Sequence, residues 1–263
     1  MSGHSEYFVD AGGRNCRIWT KGEGRPIYWL ASAPLLLKWT AIHEALSAQG
    51  RLVVCALPGM AGNGRNHEDL DDHLSWVLAA HDVLVAAGLK QGDTLMGSST
   101  AAALAADVAA VWPDLVGRLI LVAPHGLFDE SEPTADMYAL HPRDAAARLS
   151  HNPAVYKAHI AAPQGVEPVL WSIEVSRSNE ASARFLWPLG DTRLKRRLHR
   201  ISAPTMLVWG EQDRIVPPSY AQRFATLISA PVSFATIADA GHTAELDQPD
   251  EVARAVHGFA ATG

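Results

Sequence analysis

The chain has 263 residues, 48% of them hydrophobic and 19% charged, enough to bury one full α/β core and too apolar for a disordered tail. Its net charge of −6 argues against a nucleic-acid partner, whose phosphates draw on clustered Lys and Arg. Cys16 and Cys55 are too few for a disulfide framework, no apolar run approaches the roughly 18 residues of a membrane span, and no leader pattern opens the chain, so the expectation is a soluble, cytoplasmic protein.

Residues 5–10 and 15–20, joined by Ala11-Gly12-Gly13-Arg14, read as an antiparallel hairpin. A short apolar strand at 27–30 runs into Leu30-Ala31-Ser32-Ala33-Pro34 and then a helical pattern over 39–49. The strand at 51–57 leads to Leu57-Pro58-Gly59-Met60-Ala61-Gly62-Asn63-Gly64-Arg65. This glycine-rich stretch has neither G-x-G-x-x-G nor the Gly-Lys-Ser/Thr ending of a phosphate loop; it predicts a flexible turn, with no nucleotide, flavin or metal and no cofactor of any kind. A helix over 69–88 leads to a strand at 94–97, a helix at 99–111 and a strand at 118–123, and the last strands fall at 205–209 and 232–237. Several of these strands are apolar without alternation, as in a parallel sheet buried on both faces. A hairpin followed by βα units means an α/β fold, a doubly wound, mostly parallel sheet whose ligands gather at the strands' carboxyl ends.

Residues 127–200 interrupt that rhythm after the sixth strand. A structureless loop of this length is improbable, and helical patterns near 142–150, 153–162, 167–177 and 179–186 are punctuated by Pro142, Pro153, Pro163, Pro168 and Pro188. The expectation is a helical lid at 127–200 on a core formed by 1–126 and 201–263. Within it, the basic run from Arg193 to Arg200 carries Leu194, Leu198 and Ile201 at helical spacing and predicts a solvated amphipathic helix.

Chemistry concentrates at Gly97-Ser98-Ser99-Thr100-Ala101, where a strand breaks sharply into a helix with serine at the apex. A hydroxyl on such a turn can meet a base on one side and backbone N–H groups on the other. Small residues two before and two after are needed for strand and helix to approach. Gly97 and Ala101 flank Ser99 in this way, whereas Met96 and Thr100 flank Ser98, so Ser99 is the candidate nucleophile. A helix N-cap serine after a buried strand gives the same pentapeptide, and other segments must decide. Two do: the strand at 205–209 ends in Gly210-Glu211-Gln212-Asp213, and the strand at 232–237 ends in Ala238-Asp239-Ala240-Gly241-His242. In a parallel sheet both turns emerge at the edge that carries Ser99.

The order Ser, Asp, His, with the elbow, resembles the α/β-hydrolase fold family, in its lidded esterase, lactonase and carbon–carbon bond hydrolase branch, and the likeness runs from the hairpin to the C-terminal helix. It implies Ser99 as nucleophile, His242 as general base and then acid, and Asp213 as the group that orients the imidazole. Asp239, Glu245 and Glu211 lie close by and read as solvated carboxylates. The resemblance also implies an oxyanion hole from the N–H groups of Ala33 and Thr100. The His-Gly pair usual before that position is replaced by Ala31-Ser32; serine is less free than glycine to take φ > 0, and the Ser32 hydroxyl could add a donor. Among the twelve histidines, His125 stands out as a substrate contact because it follows a strand at the same edge. In the lid, Tyr138, Trp171, Trp187, Met137 and Tyr156 would either wall the pocket or pack the lid's own core.

The function so read is hydrolysis of a small ester or lactone through an acyl-enzyme. Two alternatives share the scaffold. One is carbon–carbon cleavage of a vinylogous diketone acid, whose carboxylate Arg143, Arg148, Lys157, Arg177 or Arg184 could clamp. The other is a non-hydrolytic member that binds a ligand or steers a cyclisation or acyl transfer. The expected partner is a small-molecule substrate, not nucleic acid or a membrane, and a homodimer is left open.

Overall fold

In the computed structural model, which describes residues 3–186 and 191–261, eight strands form one sheet in the order β1-β2-β4-β3-β5-β6-β7-β8. β1 (Ser5–Ala11) and β2 (Arg14–Lys21) are antiparallel, as the hairpin pattern predicts; Gly12 and Gly13 both take positive φ, 63° and 82°, which the two-residue turn demands. β2 also runs antiparallel to β4 (Arg51–Cys55). From there the pairing is parallel through β3 (Pro26–Leu30), β5 (Asp93–Ser98), β6 (Val116–Val122), β7 (Thr205–Gly210) and β8 (Val232–Ile237). β5 lies between β3 and β6, which places its carboxyl end near the middle of the edge.

The connecting helices are α1 (Ala41–Ser47), α2 (His73–Ala86) and α3 (Ser99–Val111). Asp72 caps α2 by accepting from the Ser75 amide at 2.8 Å. α3 is buried along nearly its whole length, which is why its sequence is mostly alanine: small side chains let it lie close on β5 and β6. Its one buried charge, Asp107, accepts from Arg197 and contacts His73 Nε2 at 2.7 Å. That pairing accounts for the segment expected to be an amphipathic helix at 193–200. Arg193 takes a left-handed φ of 60°, and the chain makes two short 3-10 turns, Leu194–Arg196 and Leu198–Arg200. Leu194, Leu198 and Ile201 are buried all the same, so the apolar spacing was meaningful and the helix type was not.

Between β6 and β7 the chain forms α4 (Pro142–Leu149), α5 (Pro153–Ile160) and α6 (Pro168–Arg184). Each opens on a proline at the position where a missing N–H costs nothing, and each preceding residue, His141, Asn152 and Glu167, accepts a first-turn amide with its side chain. The two patterns at 167–177 and 179–186 are one helix. Ser178, where they were divided, is buried, and its packing overrides the weak helix propensity around it.

These helices bond to residues that follow the carboxyl ends of the strands, in the loop after β4 and at the start of α3. Glu174 accepts from the Gly62 amide at 2.6 Å, Glu180 meets His67 Nε2 at 2.8 Å, and the Ser182 and Thr100 hydroxyls are 2.9 Å apart. The chain closes with α7 (Tyr220–Leu227), the short α8 (Ala244–Asp247) and α9 (Pro249–Ala260). Among the described residues no helix is long and apolar enough to cross a membrane.

Candidate active site

β5 passes into α3 with no intervening residue, and Ser99 occupies the corner at φ 54°. A side chain rarely takes that conformation, and here the elbow holds one in it. The turn is tight enough that a Cβ on Gly97 would come within 2.6 Å of Ala102 Cα, so only glycine fits. Ser98 faces the other way, its hydroxyl accepting from Trp29 Nε1 at 2.8 Å.

The exits of β7 and β8 are laced together by three bonds: Glu211 N to Ile237 O at 2.9 Å, Gln212 N to Ala240 O at 2.9 Å, and Ala240 N to Gln212 Oε1 at 3.0 Å. Gly210 permits this, since a Cβ there would lie 2.2 Å from the Gly241 carbonyl. Asp213 and His242 are thereby brought face to face. Asp213 Oδ1 accepts from the Ile215 and Val216 amides at 2.8 and 3.0 Å, and Oδ2 lies 2.9 Å from His242 Nδ1. His242 Nε2 is 2.7 Å from Ser99 Oγ. An ionised carboxylate only accepts, so Nδ1 carries the proton and the Nε2 lone pair faces the Ser99 hydroxyl. All three residues are buried, at 6%, 7% and 2% exposure for Ser99, Asp213 and His242, and this keeps water from weakening the chain of bonds.

The other anticipated residues fall around this line. Ala33 opens a 3-10 turn, Ala33–Leu36, and Thr100 is the second residue of α3. First-turn amides have no acceptor within their own helix, so both are the right kind of donor for a developing anion. Ser32 is buried at φ −66° and ψ 158°, a conformation open to any residue, and the replacement of glycine there therefore imposes no backbone strain.

His125 is buried with its ring edge-on to His242, centroids 5.2 Å apart, and its Nδ1 has no partner among the described residues. Burial, and then the neighbouring His242, hold its pKa well below the usual histidine value, so it stays neutral beside the base. Tyr138 donates to or accepts from Ser182 at 2.5 Å, and the Trp171 indole N–H donates to the Ile160 carbonyl at 2.7 Å. Both line a cavity of about 620 Å³ bounded by α4, α5, α6 and the Ala33–Leu36 turn. Ser99 is not in its wall. Met137 joins the two, lining the cavity while its Sδ lies 4.0 Å from Ser99 Oγ. Trp187 lies outside the described residues.

One neighbour is not what its sequence suggests. Glu211 and Asp239 are exposed, but Glu245 is 2% exposed, with Oε1 unpartnered among the described residues. Burial raises its carboxyl pKa, while the Ser98 hydroxyl and its own backbone amide pull it back. Its folded pKa stands above the ordinary 4.5, so the folded state holds more protons than the unfolded one just above that pH, and stability falls as pH rises through this window. Glu245→Gln should therefore melt higher than the parent at pH 8, with a gain that builds from pH 4.5 upward by at most ~1.4 kcal/mol per pH unit. A melting difference independent of pH between 4 and 8 would show that this carboxyl titrates normally. Asp247, also unanticipated, accepts from the Gly241 and His151 amides at 2.9 and 2.8 Å and so ties the His242 loop to the segment between α4 and α5. No group of three His, Cys, Asp or Glu among the described residues is arranged to hold a metal.

The sequence profile of the alpha/beta hydrolase family matches residues 19–255. The chain belongs to that family. This hydrolase is 26% identical over 230 residues to the dihydrolipoyllysine-residue acetyltransferase component of an acetoin cleaving system from Pseudomonas putida, a match that covers 82% of the chain and 58% of that relative. It is 23% identical over 242 residues to human (Homo sapiens) monoacylglycerol lipase ABHD6, covering 85% of the chain and 71% of the relative. Among solved structures it resembles CarC, a serine hydrolase involved in carbazole degradation, with a TM-score of 0.75 at 20% identity, over 97% of this chain and 98% of that one. At that identity the likeness speaks for the fold alone.

Proposed function

We propose that this hydrolase cleaves a small carboxylic ester or lactone through an acyl-enzyme on Ser99. The observation that carries the reading is the buried line from Ser99 Oγ through His242 to Asp213, at 2.7 and 2.9 Å. As Ser99 Oγ bonds to the carbonyl carbon, its proton passes to His242 Nε2, and Asp213 stabilises the imidazolium that results. The carbonyl oxygen takes up negative charge facing the Ala33 and Thr100 amides. Collapse breaks the bond to the alkoxy oxygen, which leaves with the proton from Nε2. Water then repeats the sequence on the acyl-enzyme, giving its proton to His242 and releasing the acid. The helices between β6 and β7 act as the lid that determines what fits, with Tyr138 and Trp171 in the wall. His125, neutral and packed on His242, supports the base without adding a competing positive charge.

A serine-directed fluorophosphonate probe tests this directly, because labelling needs an activated hydroxyl. Wild type and Ser98→Ala should label on Ser99, and Ser99→Ala should not. A folded wild type that fails to react would point to the non-hydrolytic alternative.

A further inference from the structure

Among the described residues, the wall of the 620 Å³ cavity carries neither lysine nor arginine. Its bulk is Leu37, Leu140, Leu149, Ile160, Trp171 and Val175, and its one carboxylate is Glu180. Burial alone would raise the Glu180 pKa, but hydrogen bonds from His67 and Arg184 outweigh that and hold it below the ordinary value, so it is an anion at neutral pH. The other polar groups of the wall are neutral: the side chains of Tyr138, Tyr156, Ser172, Ser176 and Asn179, and Ser178 Oγ, which is buried and unpartnered among the described residues.

The basic side chains that could clamp a carboxylate lie outside that wall and are engaged or exposed, including Lys38, whose Nζ sits 5.5 Å over the Trp171 ring. Arg143 is exposed beside Asp144, Arg148 borders a different cleft with Arg214, and Lys157 is exposed. Arg177 pairs with Glu174, Arg184 with Glu180, and Lys38 donates to the Ala158 and Ala161 carbonyls. An anionic substituent entering the apolar part of this space would give up hydration without gaining a cation from the described wall, and at the exposed edge it would meet Glu180, whose partners His67 and Arg184 are already engaged. An apolar one would gain about 0.8 kcal/mol for each methylene removed from water.

We infer that the site takes neutral esters or lactones with an apolar substituent and rejects those whose substituent carries a carboxylate. This rests on the acyl-transfer reading above and deepens it. The substituent reaches the cavity past Met137, the side chain shared by the cavity wall and the surroundings of Ser99 Oγ.

The test compares kcat/KM for two neutral series on the full chain: p-nitrophenyl esters of straight-chain acids with two to eight carbons, and acetates of straight-chain alcohols over the same range. At least one series should climb by up to about fourfold per methylene until the cavity is full. p-Nitrophenyl hydrogen glutarate should fall at least ~100-fold below the hexanoate, since a buried carboxylate without a partner costs several kcal/mol. Val175→Phe, which shrinks the cavity, should move the optimum to shorter chains. Ser99-dependent hydrolysis with flat profiles in both series, or with preference for the glutarate, overturns the inference and leaves the acyl-transfer reading standing. Should no ester be turned over, titration of Ser99→Ala with 1-octanol and with octanoate still decides it: tighter binding of the alcohol supports a neutral apolar site, and equal or tighter binding of octanoate overturns it.

Discussion

Ser99→Ala should lower kcat on a p-nitrophenyl ester by on the order of 10⁶-fold, the loss seen when a serine triad is deprived of its nucleophile. Ser98→Ala should keep a substantial part of the activity. The two hydroxyls are adjacent in sequence but have different partners: Ser99 Oγ meets His242 Nε2 at 2.7 Å, whereas Ser98 Oγ is held by Trp29 Nε1 at 2.8 Å. Removing the Ser98 oxygen leaves a buried indole N–H without an acceptor, so its main cost is in stability, about 1–3 kcal/mol. Steady-state kinetics and thermal melts on both variants separate these effects. A dead Ser98→Ala beside an active Ser99→Ala would move the nucleophile by one residue.

Asp213→Asn should reduce kcat by about 10⁴-fold with little change in melting temperature. An asparagine oxygen can keep the Ile215 and Val216 amides that Oδ1 now accepts. Its NH2 group then faces His242 Nδ1 and forces the imidazole proton onto Nε2. That tautomer presents N–H to Ser99 and cannot take the hydroxyl proton. Turnover within about tenfold of wild type would assign the acid to Glu245, the other buried carboxyl near His242.

The parallel part of the sheet was legible because several of its strands are apolar without alternation and are separated by helical patterns; the expected helix at 99–111 matches α3 residue for residue. The triad candidates were legible for a related reason. Strand ends in a parallel sheet share an edge, so a serine after one strand, an aspartate after another and a histidine after a third have few ways to stay apart. What failed to show were features that only tertiary packing creates. Glu245 reads as a surface charge until Ser98, His242 and the short helix α8 are assembled around it. Ser178 looks like a helix break because the sequence does not say that a neighbouring wall will bury it. The run from Arg193 to Arg200 has helical spacing, but Arg197 is required by an aspartate 90 residues earlier, and the left-handed Arg193 sets a different path.

The proline and side-chain cap that open each of α4, α5 and α6 lie within the inserted segment itself, so each helix starts where its own residues dictate and not where the sheet does. Lengthening, shortening or exchanging one of them would leave the start of the next unchanged, and none of the three carries a member of the Ser99–His242–Asp213 line. The start of each helix is therefore written into its own residues, and a change to one re-registers none of the others; what it does touch is the His242 loop, through Leu149 and His151.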